Sequence, residues 1–124
     1  MPGQFSKATA QLIEDRANGF CEFCLYPATE EMQIHHRRPR GMGGSKDPVT
    51  ASPANGVWVH YQCHRAIEEN REHALNTGYL VYQHKDPREV PLMMPQVTAF
   101  GMMLDDEGGY EPLQEPCAAS RTRP

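Results

Sequence analysis

The 124-residue chain lacks long apolar runs, and apolar residues make up only 39% of it. A membrane-spanning helix needs about 20 consecutive apolar residues, so the sequence predicts no membrane span. The first twenty residues are polar and interrupted by charges, which is unlike a secretory leader. We therefore expect a cytoplasmic protein consisting of one small domain, with a core that is too modest for two domains.

Cysteine is scarce, with four residues, and in a cytoplasmic protein these suit metal binding better than disulfides. Three of them belong to two short pairs, Cys21-x-x-Cys24 and His60-x-x-Cys63. The two-residue spacing lets both ligand atoms of a pair turn toward one ion, with sulfur at roughly 2.3 Å from zinc. The sequence therefore predicts one tetrahedral zinc site. The fourth cysteine, Cys117, lies in a polar tail and is predicted to be a free thiol.

A basic excess is also missing, because the net charge is −4, which argues against uniform attraction to nucleic acid. The charge is uneven, however. Residues 35–65 carry five basic side chains against Asp47 alone, a net charge of +4 that leaves −8 on the remainder. A local basic segment is enough to reach phosphates, although a solvated loop is the alternative. The predicted phosphate contacts are Arg37, Arg38, Arg40, Lys46 and Arg65.

Apolar spacing and capping residues predict a small α+β domain. In chain order, the first predicted elements are a helix capped by Ser6 that runs to about Asn18 and stops at Gly19, and strands at 32–36 and 57–59. A helix over 63–76, terminated by Gly78, and strands at 79–82 and 99–104 follow. We assign residues 1–104 to this domain, with the motif core at 20–76. Residues 105–124 are rich in glycine, proline and charge, so we expect a disordered tail there.

Between the two metal-binding pairs lie a doubled histidine, His35-His36, then Asn55, and then His64. Hydrolysis of a phosphodiester needs a base to activate water and a positive centre for the transition-state charge. Adjacent strand residues point to opposite faces, so the two neighbouring histidines would have separate roles, one binding metal and one facing the attacking water. His64 lies where it could return toward His35, and Glu68, one helical turn later, is a candidate further ligand.

The whole pattern resembles the HNH endonucleases, in particular the small zinc-containing ones of bacteriophages. The resemblance covers about residues 15 to 95. It depends on Cys21-x-x-Cys24, Ile34-His35-His36, Gly43-Gly44, Asn55 and His60-x-x-Cys63-His64. It implies a ββα-metal fold, in which two short antiparallel strands and a helix surround one catalytic divalent ion beside a separate structural zinc. His60 departs from the family pattern, which usually has cysteine there, but zinc with three thiolates and one imidazole is chemically ordinary.

The resemblance also implies a role for each residue of the motif. His36 would be the general base, and Asn55 would hold the long loop and orient His36. His35 and His64, with Glu68 as a further candidate, would bind the catalytic ion, for example Mg²⁺, Mn²⁺ or Ni²⁺. The implied substrate is DNA, and the phage members of the family suggest work beside the terminase in genome packaging, in the host cytoplasm.

Two alternatives stay open at this point. The chain could be a non-catalytic, zinc-stabilised nucleic-acid-binding module, with His35, His36 and His64 as surface or packing residues of a zinc scaffold. It could also be a nuclease that acts on RNA. The intact pair of His36 and Asn55 argues against the first alternative, because a binding module gains nothing from keeping a base.

Overall fold

The computed structural model describes residues 3–41, 47–94 and 101–113. These residues form three α-helices and two two-stranded antiparallel sheets, which confirms the predicted α+β class. The helices are α1 (Lys7–Ala17), α2 (Tyr61–Glu69) and α3 (Arg71–Thr77). The strands are β1 (Met32–His36), β2 (Gly56–His60), β3 (Met102–Leu104) and β4 (Tyr110–Pro112).

Helix α1 begins and ends where its sequence predicts. The Ser6 side chain accepts a hydrogen bond from the backbone N–H of Thr9 at 3.1 Å and so caps the first turn. At the other end Asn18 adopts a left-handed conformation with φ of 55°, which closes the helix. Ile13 is completely buried, and α1 packs against β2. The predicted first helix is therefore confirmed.

The hairpin of β1 and β2, followed directly by α2, is the central feature of the fold. Met32 pairs with His60 at one end of the hairpin, and His36 pairs with Gly56 at the other. Helix α2 begins at the residue after β2 ends and packs against both strands. The two predicted strands are confirmed, and with α2 they follow each other in the order ββα.

The single helix predicted over 63–76 is wrong in one respect, because the structure has two helices there. The first begins two residues earlier than predicted, at Tyr61, and the break falls at Asn70, whose φ of −124° and ψ of 62° are not helical. The backbone N–H and the side-chain amide of Asn70 both donate to the carbonyl of Ala66, at 3.1 Å and 2.9 Å, and so cap the end of α2. The predicted end at Gly78 is confirmed by its left-handed φ of 86°.

Residues 79–82 do not form the predicted strand. Their backbone groups bond singly to different partners and do not form a ladder. The Val81 N–H donates to the Arg37 carbonyl at 2.8 Å, and the Leu80 N–H donates to the Ala74 carbonyl at 3.1 Å. Tyr79, Leu80 and Val81 are all buried. This segment is therefore core that lies beside the end of β1.

The end of the chain also differs from the prediction. The strand predicted over 99–104 is present as β3, although residues 99 and 100 lie outside the described residues. Residues 110–112, expected in a disordered tail, form β4 and pair with β3. The turn between these strands is closed by Asp105, whose carboxylate accepts from the backbone N–H of Gly109 at 2.7 Å. Residues 114–124 of the predicted tail lie outside the described residues.

The apolar core joins the hairpin to the last described strands. Its members include Val57 and Val59 of β2, Ile67 of α2 and Leu104 of β3, each at most 3% exposed. Cys21 belongs to the same cluster, so its metal-binding pair is anchored in the core. Of the helices that the structure describes, none has the length and apolar character of a membrane span.

Candidate active site and metal centre

The two metal-binding pairs predicted from spacing come together in space. Cys21 and Cys24 follow α1, whereas His60 ends β2 and Cys63 lies in the first turn of α2. One ligand atom from each of these four residues lies within 4.8 Å of all the others. Three sulfurs and one imidazole at this spacing could hold a metal ion, and the hairpin is what carries the second pair to the first.

The orientation of His60 decides whether the fourth ligand is present. Its Nε2–H donates to the carbonyl of Pro27 at 2.9 Å, and a carbonyl can only accept, so the ring proton is on Nε2. The Nδ1 atom is then unprotonated, and it lies 3.3 Å from the Cys24 sulfur and 3.8 Å from the Cys63 sulfur. His60 therefore faces the thiols in the tautomer that a metal requires.

The three thiols differ in how easily they ionise. Burial raises the pKa of the Cys21 thiol, but hydrogen bonds to its sulfur from the backbone N–H groups of Cys24, His60 and Phe23 outweigh burial and lower the pKa below its ordinary value. For Cys63, burial and the nearby Cys21 charge raise the pKa to about 12. The cluster thus holds one negative charge readily, and ionisation of further thiols is coupled to the arrival of a cation.

A second cluster lies at the other end of the hairpin, where ligand atoms of His35, His64 and Glu68 lie within 4.8 Å of one another. His35 is only 2% exposed, and its Nε2–H donates to the carbonyl of Tyr79 at 2.7 Å. This bond leaves Nδ1 of His35 free to bind a metal. Burial lowers the pKa of His35 to about 4, so the ring is neutral at pH 7, as a metal ligand must be.

His64 faces His35 across this cluster, with ring centroids 4.9 Å apart. Its Nδ1–H donates to the side-chain oxygen of Gln33, which leaves Nε2 free. That Nε2 lies 3.4 Å from a carboxylate oxygen of Glu68, one turn further along α2. Two free imidazole nitrogens and one carboxylate oxygen form a donor set that fits a divalent ion of the Mn²⁺ or Ni²⁺ type.

His36 lies next to this cluster with a different set of contacts. Its Nε2–H donates to the carbonyl of Gly3 at 2.7 Å, so Nδ1 is the only ring nitrogen that can accept a proton. The ring stacks on Phe5, with centroids 4.2 Å apart and planes 20° apart. Burial, together with the positive charge of Arg40, lowers the pKa of His36 below its ordinary value, although the Gly3 carbonyl opposes this shift. His36 is therefore neutral at pH 7, as a general base must be.

These side chains share one cleft of about 230 Å³. The cleft brings together the four predicted residues His35, His36, His64 and Glu68. The rest of its lining is Ile34, Pro39, Arg40, Arg71 and Leu80. A larger cavity of about 360 Å³, lined partly by α1 and β3, contains none of the four predicted residues and has mostly apolar walls. The smaller cleft is therefore the candidate active site, because it holds the groups that can do chemistry.

Asn55 lies outside the cleft and hydrogen-bonds to the backbone of the loop that follows His36. It is completely buried, and its side-chain oxygen accepts from the Arg38 N–H at 2.7 Å. Its amide donates to the carbonyls of Arg38 at 3.0 Å and Thr50 at 2.9 Å. Asn55 thereby ties the two ends of the long loop together and fixes the chain two residues beyond His36. These bonds fit the loop-holding role that the sequence predicts for it.

The phosphate contact predicted for Arg37 is wrong. Arg37 is 0% exposed, and its guanidinium donates to four backbone carbonyls between 2.6 and 3.1 Å away, those of Ala54, Gly78, Pro87 and Val90. Burial lowers the pKa of Arg37 to about 9, which still leaves it protonated at neutral pH. Its charge is therefore used inside the protein, where it satisfies carbonyls of three separate segments.

Arg38 is likewise held inside the protein, at 7% exposed. Its guanidinium pairs with Asp47 at 2.8 Å and donates to the carbonyl of Lys85 at 2.9 Å and to the Thr50 hydroxyl at 3.2 Å. These contacts hold the loop after β1 and are not available to a phosphate. The predicted contact for Arg38 is wrong for the same reason as that for Arg37: the sequence shows the charge but not its burial.

The other predicted cations have different positions. Arg40 lines the cleft, and its buried Nη1 has no hydrogen-bond partner among the described residues. The Arg65 side chain is 60% exposed on α2 and pairs with Glu69 at 3.1 Å. Lys46 lies outside the described residues. Arg71, which the sequence analysis missed, is exposed and lines the same cleft. Its position three residues after Glu68 was the only signal for it.

Replacing Arg37 by methionine is expected to lower the free energy of unfolding by about 3 kcal/mol or more. Each buried carbonyl that loses its donor costs about 1–3 kcal/mol, and four would lose this one. Equilibrium unfolding in urea measures the loss, with Arg65→Met as an exposed control that should change stability by less than about 0.5 kcal/mol. A stable Arg37→Met protein with weakened nucleic-acid binding would restore the original phosphate-contact prediction.

Comparison of the chain with protein-family models, with curated proteins and with solved structures finds no match. The chemistry of the cleft and of the metal-binding pairs therefore has to be inferred from the positions of the chain's own residues.

Proposed function

We propose that the protein is a metal-dependent DNA endonuclease of the HNH type. The observation that carries this proposal is one cleft that contains a neutral, partly buried histidine, a three-residue donor set and two arginines. The donor set is His35, His64 and Glu68, the neighbouring histidine is His36, and the arginines are Arg40 and Arg71. A base, a place for a divalent ion and phosphate-binding charges are what phosphodiester hydrolysis requires.

In this proposal His36 is the general base. Its Nδ1 takes a proton from water as the water oxygen attacks phosphorus, and the bond from phosphorus to the 3′ oxygen breaks. The departing 3′ oxygen takes a proton from solvent water, so the products are a 5′ phosphate and a 3′ hydroxyl. Support comes from the Gly3 carbonyl, which keeps the proton of the resting ring on Nε2, and from the lowered pKa, which keeps the ring neutral.

The same cleft has the donors for a catalytic divalent ion. His35 would bind through Nδ1 and His64 through Nε2, the nitrogens that their other hydrogen bonds leave free, with Glu68 as the third ligand. An ion held there would supply positive charge for the transition state and for the departing 3′ oxygen. The Tyr79 carbonyl and the Gln33 side-chain oxygen accept from the other ring nitrogens of His35 and His64 and so orient the two rings. This is the usual arrangement around imidazole ligands.

The group of Cys21, Cys24, His60 and Cys63 is proposed to hold a structural zinc. Its four donors would complete a tetrahedral set around one ion and leave no open position for substrate, unlike the three donors of the cleft. Zinc here would fasten the segment after α1 to the end of the hairpin. A role beside a phage terminase stays a prediction that depends on the resemblance alone.

The first test is a cleavage assay on supercoiled plasmid, linear DNA and RNA, with Mg²⁺, Mn²⁺, Ni²⁺ or a chelator. We expect metal-dependent nicking or linearisation of the plasmid, absent in His36→Ala protein purified in parallel. Cleavage of RNA alone would change the substrate class. Binding without cleavage under every metal condition would overturn the nuclease proposal in favour of the non-catalytic zinc-stabilised module.

Arg40 and Arg71 are expected to carry phosphate contacts in place of Arg37 and Arg38. Changing both to glutamine should weaken DNA binding about equally for all sequences, because phosphate contacts carry no base information. The slope of log affinity against log salt should become shallower by about one unit per lost contact. Binding is measured by fluorescence anisotropy across a salt series.

Arg88→Gln is the matched control for this pair, because Arg88 also carries one positive charge but is already paired with Asp86 and Asp106. It should leave the salt slope unchanged. If the Arg40 and Arg71 double variant binds DNA with the wild-type affinity and slope, the phosphates do not enter this cleft.

A further inference from the structure

Building on the proposed nuclease function, we propose that the segment Gly3–Phe5 is a positioning element that holds the His36 imidazole in one tautomer and one orientation. The sequence motif gives no sign of this, because Gly3 and His36 are separated by 33 positions in the chain. Two contacts of different kinds carry the inference, one from the Gly3 backbone and one from the Phe5 ring.

The first contact fixes the proton. A carbonyl oxygen can only accept, so the 2.7 Å contact from the Gly3 carbonyl keeps the ring proton of His36 on Nε2. Without that acceptor the two neutral tautomers of the imidazole become closer in energy. In molecules whose ring proton is on Nδ1, this nitrogen cannot accept a proton from water. The Gly3 carbonyl therefore sets the fraction of protein in which His36 is ready to act as a base.

The second contact fixes the plane of the ring. Phe5 stacks nearly parallel to His36 at 4.2 Å between centroids. Gly56, the strand partner of His36, makes this stacking feasible: a Cβ at position 56 would lie 2.9 Å from the Phe5 ring and 2.6 Å from Ile13. A Cβ at these distances would force the Ile13 or Phe5 side chain to shift, so glycine at 56 leaves the space that Phe5 occupies.

Gly3 itself is also restricted to glycine. Its φ of +89° is a conformation that residues with side chains rarely adopt. A Cβ there would lie 2.9 Å from the side chain of Arg40 and 3.2 Å from that of Thr50. A larger residue at position 3 would therefore displace the carbonyl from His36.

The alternative is that Phe5 only covers apolar surface. A covering role predicts lower stability when Phe5 is altered, with no change in the His36 ring itself. A positioning role predicts a change in the ring even in protein that remains folded. The tautomer of His36 separates the two, because apolar cover has no influence on which nitrogen carries the proton.

The test uses the full chain with Phe5→Leu and Gly3→Ala, compared with Ser6→Ala. Ser6→Ala removes the cap of α1 in the same segment but touches neither contact with His36. Long-range ¹H–¹⁵N spectra of the histidine rings report the tautomer, with His36→Gln used for assignment. Urea unfolding, DNA affinity and the single-turnover cleavage rate at saturating DNA and metal are measured on each variant.

We expect Phe5→Leu and Gly3→Ala to shift His36 from the single Nε2–H form to a mixture and to lower the single-turnover rate at saturating DNA by about 10-fold or more. Phe5→Leu should leave DNA affinity unchanged, whereas Gly3→Ala should also weaken it, because the added Cβ would lie 2.9 Å from the Arg40 side chain. Ser6→Ala should lose stability but keep the wild-type tautomer and rate. Wild-type His36 spectra in both Phe5→Leu and Gly3→Ala would overturn the positioning role. If the wild-type protein does not cleave DNA, that result counts against the nuclease function. The histidine ring spectra of the variants would still test whether Gly3 and Phe5 position His36.

Discussion

Replacing His36 by alanine is expected to reduce DNA cleavage by about 10²–10⁴-fold, the range that a positioned general base contributes. DNA binding and binding of the divalent ion should remain nearly unchanged, because the donor set of His35, His64 and Glu68 does not include His36. A plasmid-nicking assay gives the rate, and calorimetric titration with Mn²⁺ gives the affinity for the ion.

His35→Ala and His64→Ala are the matched comparisons for this variant. Each removes one nitrogen of the donor set, so each should weaken binding of the divalent ion. Excess Mn²⁺ or Ni²⁺ should partly restore their cleavage rates, whereas no concentration of metal should restore His36→Ala. If His36→Ala keeps substantial activity, or if it loses the ion as His35→Ala does, then His36 is not the general base or His35 is not a separate metal ligand, and the proposed roles are wrong.

Removing the zinc proposed for the site of Cys21, Cys24, His60 and Cys63 is expected to unfold the protein. Zinc binding to small structural sites contributes about 10–16 kcal/mol, which is comparable with or larger than the whole stability of a small domain. Purified protein should contain one tightly bound zinc per chain by elemental analysis. Cys21→Ser or Cys63→Ser should aggregate or lose its circular-dichroism signal, and a strong chelator should do the same to the wild type.

Cys117→Ser is the control for the loss of a thiol, because the sequence predicts that Cys117 belongs to no metal-binding pair. It should leave both zinc content and stability as in the wild type. Folded, soluble wild-type protein without zinc would show that the Cys₃His group is not required for the fold. In that case the apolar core and the buried Arg16–Glu22 pair would be enough to hold the hairpin to α1, since Arg16 donates to the carbonyl of Gly56 and Glu22 accepts from the N–H of Trp58.

Residues close together in the sequence made the site predictable. The two-residue spacings predict the two pairs that come together in space, whereas the separate roles predicted for His35 and His36 stay a prediction. Both depend on local geometry, which the structure retains in β1 and at the start of α2. The caps of α1 and the end of α3 at Gly78 were predictable for the same reason.

The errors came from contacts between distant positions. Arg37 and Arg38 follow the histidines in the sequence, and their charge alone suggested the surface, but their partners lie up to 53 residues away. The contacts of Gly3 and Phe5 with His36 likewise have no local pattern. The break at Asn70 was missed because the helical pattern of residues 63–76 continues across it, whereas the non-helical φ and ψ of this residue are visible only in the structure.

The guanidinium of Arg37 joins stretches of chain that are otherwise unconnected in sequence, since it bonds to carbonyls at Ala54, Gly78, Pro87 and Val90. If one of these stretches opened, a buried cation would lose a partner that water could not immediately replace, so opening of one favours opening of all. The amides around this residue should therefore exchange hydrogen for deuterium together, as one cooperative unit. Because that unit includes the residue following the two histidines, the chain around the cleft would form and melt as a whole.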